Sequence, residues 1–142
     1  MKRYLFGIVV ATCLVVALLV FFNRSQNHDD NANAHAGAPV DISIPSALSG
    51  NAQVGKKIFQ SVCATCHGRD AVGKDGVAPP LVHKIYEPSH HGDEAFQRAV
   101  VMGVRSHHWP FGNMPPIKEL TRADVAMIVA YVRELQQANG IN

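Results

Sequence analysis

Residues 63–67 read Cys63-Ala64-Thr65-Cys66-His67, and the rest of the fold can be worked out from this stretch. Two cysteines separated by two residues and followed at once by a histidine have the spacing through which a haem is bound by two thioethers. The two sulfurs reach two edges of the ring, and the following histidine is carried under its centre. The sequence therefore predicts one covalent haem c on Cys63 and Cys66, with His67 as the proximal iron ligand.

Other uses of this cysteine pair fit the sequence poorly. A structural zinc site needs four ligands and commonly a second pair at similar spacing, but the third cysteine, Cys13, lies in a remote apolar stretch. A thioredoxin-like pair would need a βαβ context, which the sequence lacks. Three cysteines also cannot form a disulfide framework, so haem attachment is the favoured interpretation.

The distal iron ligand is predicted to be Met114. It lies in Phe111-Gly112-Asn113-Met114-Pro115-Pro116, where the prolines stiffen the chain and Gly112 permits a tight approach. A thioether sulfur suits iron and raises its potential relative to a second histidine. Met102 and Met127 are expected to pack in the core. A second imidazole remains possible from His83, His90, His91, His107 or His108.

The pattern of apolar residues predicts short helices. Val54, Ile58 and Val62 recur at steps of four and indicate a helix over about residues 51–62, with Ser49 or Asn51 as its N-cap. This helix would deliver the chain into the cysteine motif.

Two further helices are expected. The first runs from Glu94 to Met102, is capped by Asp93 and ends at Gly103. The second begins with a capping box at Thr121 and Asp124, ends at Asn139-Gly140 and has an apolar stripe of Val125, Ile128, Val129, Val132 and Leu135.

No alternating strand pattern is present, and the connecting segments are rich in glycine and proline. The predicted fold class is all-α, with three or more short helices around one haem. Helices this short leave a thin core of their own, so we expect the haem to fill it.

The N-terminal region predicts a membrane anchor. Leu5 to Phe22 is an uncharged run of 18 residues, which as a helix would span about 27 Å, close to the roughly 30 Å hydrocarbon core. The cleavage candidate Ala34-His35-Ala36 lies well beyond this run, which favours an uncleaved anchor over a removed signal peptide. Cys13 is interpreted as an ordinary side chain of the anchor rather than a lipidation site.

The predicted organisation is therefore an anchor over 1–22, a flexible linker over 23–48 and the haem domain over 49–142. Lys2 and Arg3 precede the span, which predicts a membrane-anchored protein with its haem domain on the exported side, periplasmic or otherwise extracytoplasmic. The polar linker would let that domain move between membrane partners.

The charge distribution argues against nucleic acid as a partner. The chain has 13 Lys and Arg against 11 Asp and Glu, and Lys56-Lys57 is the only adjacent basic pair beyond the first residues. A nucleic-acid-binding domain would be expected to carry a clustered basic face.

Over residues 51–135 the chain resembles the class I mono-haem c-type cytochromes. Gly55 and Phe59 look like the small and aromatic residues at which the first and last helices of that family cross, and Tyr131 looks like their partner. Pro79 and Leu81 resemble the family's Pro-x-Leu, in which the proline carbonyl accepts a hydrogen bond from the proximal histidine. The resemblance thus implies that Pro79 orients His67.

The resemblance extends to the distal side. Met114 in Asn-Met-Pro-Pro matches the family's distal ligand loop, and Trp109 or Phe111 would lie near the haem edge. The segment from His83 to Gly92 has no counterpart in the family pattern. We expect this segment to be a solvated loop, with a partner-specific loop as the alternative.

The expected function is one-electron transfer between redox proteins at the membrane, without enzymatic activity and without a small-molecule substrate. Two other functions remain open. The chain could be a fixed cytochrome subunit of an oxidase or dehydrogenase, or a haem enzyme or sensor in which His107 or His108 acts beside a labile distal ligand.

Overall fold

The computed structural model describes residues 12–22 and 38–142. Residues 12–22 are helical, and their side chains are exposed. Within the described residues, no helix has both the length and the apolar character needed to cross a membrane. The other residues of the predicted span, 5–11, and most of the predicted linker, 23–37, lie outside the described residues.

Residues 38–142 form a helical unit. Its α-helices are α1 (Gly50–Val62), α2 (Ala64–His67), α3 (Asp93–Met102) and α4 (Arg122–Ala138), with a 3-10 turn over Lys84–Tyr86. Within this unit, β pairing is limited to isolated bridges. The all-α prediction is confirmed, although the sequence did not predict the short α2 or the 3-10 turn as separate elements.

The helix starts follow local capping chemistry. Ser49 caps α1 by accepting a hydrogen bond from the Ala52 amide, and Thr121 and Asp124 form the predicted capping box at the start of α4. The prediction that Asp93 caps α3 was wrong. Asp93 is the first residue of α3, and its carboxylate accepts a hydrogen bond from Arg133 instead.

Helices α1 and α4 cross in direct backbone contact at Gly55. A Cβ at this position would lie 1.8 Å from the carbonyl oxygen of Met127, so only glycine fits. One turn later, the Phe59 and Tyr131 rings meet edge to face at 5.6 Å. The crossing residues expected from the resemblance are therefore confirmed.

The buried face of α1 differs from the predicted stripe. Ala52, Gly55 and Phe59 are the buried residues of this helix, whereas Val54 is 48% exposed. The crossing with α4 selects small residues at the contact because the backbones approach so closely. Of the predicted stripe, Ile58 packs against the first core cluster, and Val54 was predicted wrongly.

The apolar core is divided into two clusters. The first joins α1 to α4 and has the buried residues Ala52, Phe59, Ala71, Val82, Ile128, Tyr131, Val132 and Leu135. The second joins α3 to α4 through Val100, Val125 and Val129. Met102 is 66% exposed, so its predicted core position was wrong: it is the last residue of α3, beyond the buried turn at Gln97 and Val100.

The predicted linker over 23–48 ends earlier than expected. Ile42, Ile44 and Leu48 pack against the first core cluster. The Ser43 amide donates to the Asn139 side chain at 2.7 Å, and the Asn139 side chain donates back to the Ser43 carbonyl at 2.9 Å. Residues 42–48 thus belong to the folded unit, because their apolar side chains pack on the first core cluster and Ser43 pairs with the side-chain amide of Asn139.

Replacing Gly55 tests the helix crossing. Gly55→Ala places a methyl group against the Met127 carbonyl, so we expect the free energy of unfolding of the haem-loaded protein to fall by about 1–3 kcal/mol. Denaturant unfolding followed by circular dichroism measures the change. Gly50→Ala is the matched control, because a Cβ there meets nothing within 4 Å. Equal stability of the two variants would contradict the close crossing.

Candidate haem site

The cysteine motif lies at the end of α1. Cys63 closes this helix by donating its amide to the Phe59 carbonyl at 2.8 Å, and α2 then carries Cys66 and His67 through one further turn. Both thiols are free, with Cys63 half-buried and Cys66 exposed. Burial, and then the neighbouring Cys66, raise the pKa of the Cys63 thiol to about 11, so it is protonated at neutral pH.

The chain after the motif turns back sharply on itself. The Gly73 amide donates to the His67 carbonyl at 2.8 Å, and the Leu81 amide donates to the Ala71 carbonyl at 2.8 Å. Gly73 has a φ of 79°, and a Cβ there would lie 2.5 Å from the Pro80 nitrogen. Glycine at 73 therefore lets residues 79–80 fold back beside the motif.

This fold-back brings Pro79 to His67. The Nδ1 of His67 lies 2.9 Å from the Pro79 carbonyl oxygen. A carbonyl oxygen can only accept, so Nδ1 carries the proton and the neutral ring keeps its lone pair on Nε2. Burial lowers the pKa of His67 and so favours the neutral ring. The hydrogen bond to Pro79 raises the pKa and offsets part of this effect.

A buried hydrogen bond ties the same loop to α4. The Tyr131 hydroxyl donates to the Asp70 carboxylate at 2.9 Å, and Asp70 is 4% exposed. Burial and the Asp70 charge raise the pKa of Tyr131, so the phenol stays protonated as the donor. The sequence reasoning missed Asp70. The only available signal was an acidic residue three positions after the motif.

Met114 lies on a separate, well-fixed loop. Its amide and carbonyl pair with those of Val104 at 3.0 and 2.9 Å. A Cβ at Gly103 would lie 2.5 Å from the Met114 carbonyl oxygen, so glycine at 103 allows the segments that carry Val104 and Met114 to pair. Gly112 has a φ of 90°, yet its missing Cβ meets nothing within 4 Å, so this glycine serves the turn rather than a close approach.

The other predicted site residues divide between two places. The Trp109 and Phe111 rings stack at 5.7 Å, and His83 meets Trp109 edge to face at 5.1 Å. Leu81 packs on the first core cluster, whereas Met114 packs on the second. The structure thus brings His67 into contact with Pro79, and Trp109 into contact with Phe111. Met114 and Leu81 pack on different core clusters.

Several groups in this structure fit a haem. Cys63 and Cys66 offer free thiols for thioethers, and His67 offers a lone pair for iron. The Trp109 indole N–H is buried, and its contact with the Tyr86 side chain partly offsets the burial that raises the pKa of Tyr86.

These features define a small helical protein of the kind that holds a haem through Cys-x-x-Cys-His. The family model for cytochrome c matches residues 52–136, more than half of the chain, and the chain belongs to the cytochrome c family. The family implies a covalently bound haem c and an electron carrier. No curated protein matches the chain.

The segment without a family counterpart is held by α4. Arg133 donates to the carbonyls of Tyr86 and His91 at 2.7 and 2.6 Å, and Gln136 donates to that of Tyr86 at 3.0 Å. Gln136 is completely buried. The sequence signal for this contact was a polar residue, Gln136, directly after the last apolar residue of the stripe, Leu135.

Haem attachment can be tested at the motif. Cys63→Ala combined with Cys66→Ala removes both thiols, so we expect no haem to remain on the chain after denaturing electrophoresis and haem staining. Because haem is expected to complete the core, this variant should also lose its cooperative thermal transition by circular dichroism.

Cys13→Ala is the control for that experiment, since it removes the third cysteine without changing the motif. This variant should keep a haem-stained band at full intensity. A stained band from the Cys63 and Cys66 double variant would refute the assignment of the attachment site.

Proposed function

We propose that this protein is a one-electron carrier with a single haem c whose iron is ligated by His67 and Met114. The observation that supports it most directly is the hydrogen bond from His67 Nδ1 to Pro79, which orients the ring and leaves Nε2 for iron. The haem supplies the redox chemistry when bound, and the chain supplies its ligands and surroundings.

Met114 is favoured as the distal ligand by its chemistry and by its backbone. A thioether is a soft ligand that stabilises reduced iron and so raises the reduction potential. Pairing with Val104 and the close approach at Gly103 restrict where the Met114 backbone can lie. Met102, which is 66% exposed at the end of α3, has no such support.

Ligation on both faces would leave the iron without an open position for a substrate. Electron transfer then requires only a haem edge within reach of a partner and a small, transient contact. The chain carries nearly balanced charges, so strong electrostatic steering by net charge is not expected. The partners in this proposal are redox proteins at the membrane, and the protein itself is not an enzyme.

The proposal includes membrane attachment through residues 5–22. The uncharged run in the sequence supports this, as do the exposed apolar side chains along the described helical residues 12–22. Lys2 and Arg3 before the run favour an exported haem domain. Retention of the anchor would keep the carrier near its membrane partners.

An optically followed redox titration of wild type and Met114→Ala tests the carrier assignment. The wild-type protein should titrate as one one-electron wave, and its oxidised form should have the weak red absorption band of methionine-ligated iron. Met114→Ala should lose the band and titrate at lower potential, because the stabilising thioether is gone.

Met102→Ala and Met127→Ala are the matched controls, and both should keep the band. Retention of the band in Met114→Ala would overturn the distal assignment. An absent band in the wild-type protein would favour the alternative function, a haem enzyme or sensor with a labile distal position.

Membrane attachment is tested by intact-mass measurement of the protein extracted from membranes with detergent. An uncleaved anchor predicts a mass that includes the N-terminal residues and the haem, and predicts that the protein stays with membranes after a high-salt wash. A mass that corresponds to a chain starting after Ala36, together with release of the protein into the soluble fraction, would show cleavage instead.

A further inference from the structure

Three histidines from two different loops meet at one place on the surface. His90, His91 and His108 each offer a ring nitrogen, and these atoms lie within 4.8 Å of one another. Their ring centroids are 4.7 Å apart for His90 and His91, 5.3 Å for His91 and His108, and 5.5 Å for His90 and His108. We refer to these three residues as the histidine cluster.

The central ring of the cluster is already oriented. His91 is half-buried, and its Nδ1 lies 2.7 Å from the Ile85 carbonyl oxygen. Since the carbonyl can only accept, Nδ1 carries the proton and the lone pair of the neutral ring is on Nε2. Metal-binding histidines commonly have this arrangement, in which a backbone carbonyl holds the other nitrogen and sets the tautomer.

The backbone that carries His90 and His91 is held by the turn and by α4. The amides of His90 and His91 both donate to the Glu87 carbonyl, at 3.1 and 2.8 Å. Arg133 donates to the His91 carbonyl, and its side chain is only 12% exposed. These contacts are made by backbone and by a buried guanidinium, so the imidazoles themselves remain available to a ligand.

The third histidine comes from the Met114 loop. Near the base of this loop, Ser106 makes two hydrogen bonds. Its amide donates to the Asn113 side chain at 2.9 Å, and its hydroxyl donates to the Trp109 carbonyl. His108 lies within this turn and is exposed. A ligand of the histidine cluster would therefore connect segment 83–92 to the loop that carries Met114.

Other imidazoles surround His108. Desolvation, followed by the nearby charges of His107, His91 and His90, lowers the pKa of His108. Protonating several of these imidazoles together is unfavourable because like charges would lie side by side. Neutral imidazoles are the form that binds a metal ion.

We infer that the histidine cluster is a binding site for a divalent transition-metal ion that prefers imidazole, such as Zn²⁺ or Cu²⁺. His90, His91 and His108 supply the protein ligands, and water completes the coordination. Three imidazoles without a carboxylate suit these ions, whereas Mg²⁺ and Ca²⁺ prefer oxygen ligands. The two exposed rings, His90 and His108, can rotate toward the oriented ring of His91 to close the site.

The test uses isothermal titration of the haem-loaded full chain, purified without a polyhistidine tag, with Zn²⁺ and separately with Cu²⁺. We expect one ion per chain and no heat of binding with Mg²⁺. Electron paramagnetic resonance of the Cu²⁺ form should show hyperfine coupling to ligand nitrogens. Absence of binding by both ions, or copper bound without nitrogen coupling, would overturn the inference.

His90→Gln combined with His108→Gln removes two exposed ligands and leaves His91 with its hydrogen bond to Ile85. Affinity should fall by about tenfold or more, since even the loss of outer-shell partners of a metal site costs 10–100-fold. His28→Gln with His35→Gln is the matched control, because it also removes two histidines but leaves the histidine cluster intact. This control should bind as the wild type does.

Wild-type affinity in the His90 and His108 variant, or loss of binding in the His28 and His35 variant, would refute the site. The red absorption band of the oxidised haem is recorded in the same titration. Its retention during Zn²⁺ binding would show that the ion occupies a place apart from the iron ligands. The result is thus separable from the carrier assignment, which in this experiment fails if the band is absent before metal is added.

Discussion

The backbone contact between α1 and α4 at Gly55 is the constraint on which the other features depend. It brings Phe59 against Tyr131, and Tyr131 in turn holds Asp70 in the loop after the cysteine motif. Without the close crossing, the end of α1 and the loop behind it would lose their common support on α4. One missing Cβ therefore determines how the attachment motif is presented.

The segments that carry the proposed iron ligands, His67 and Met114, are held in different ways. At His67, a chain reversal at Gly73 brings Pro79 back to the imidazole, and a single hydrogen bond sets the orientation of the ring. The loop that carries Met114, the proposed distal ligand, is held by backbone pairing with Val104 and packs on a separate core cluster. A haem ligated by both residues, as proposed, would join two parts of the fold that pack against α4 in different core clusters.

Helix α4 also explains the segment that has no counterpart in the family pattern. Arg133 and Gln136 lie beside the apolar stripe and bind backbone carbonyls of this segment. The cation of Arg133 also lies over the Phe96 ring at 5.1 Å, and this contact helps to keep the side chain in place. The result is a fixed loop in which the His90 and His91 rings lie against each other, in contrast to the solvated loop that the sequence alone suggested.

The sequence by itself determined the helical class, the attachment motif, the capping box of α4 and its apolar stripe, because these depend on neighbours within a few residues. The resemblance supplied the long-range pairs, Gly55 with Tyr131 and His67 with Pro79. Only the tertiary structure decided that α1 buries Ala52 rather than Val54, that Met102 is exposed, and that residues 42–48 join the folded unit. It also brought the histidines of two loops together. Such outcomes depend on how closely distant backbones approach, and no local pattern of residues encodes that distance.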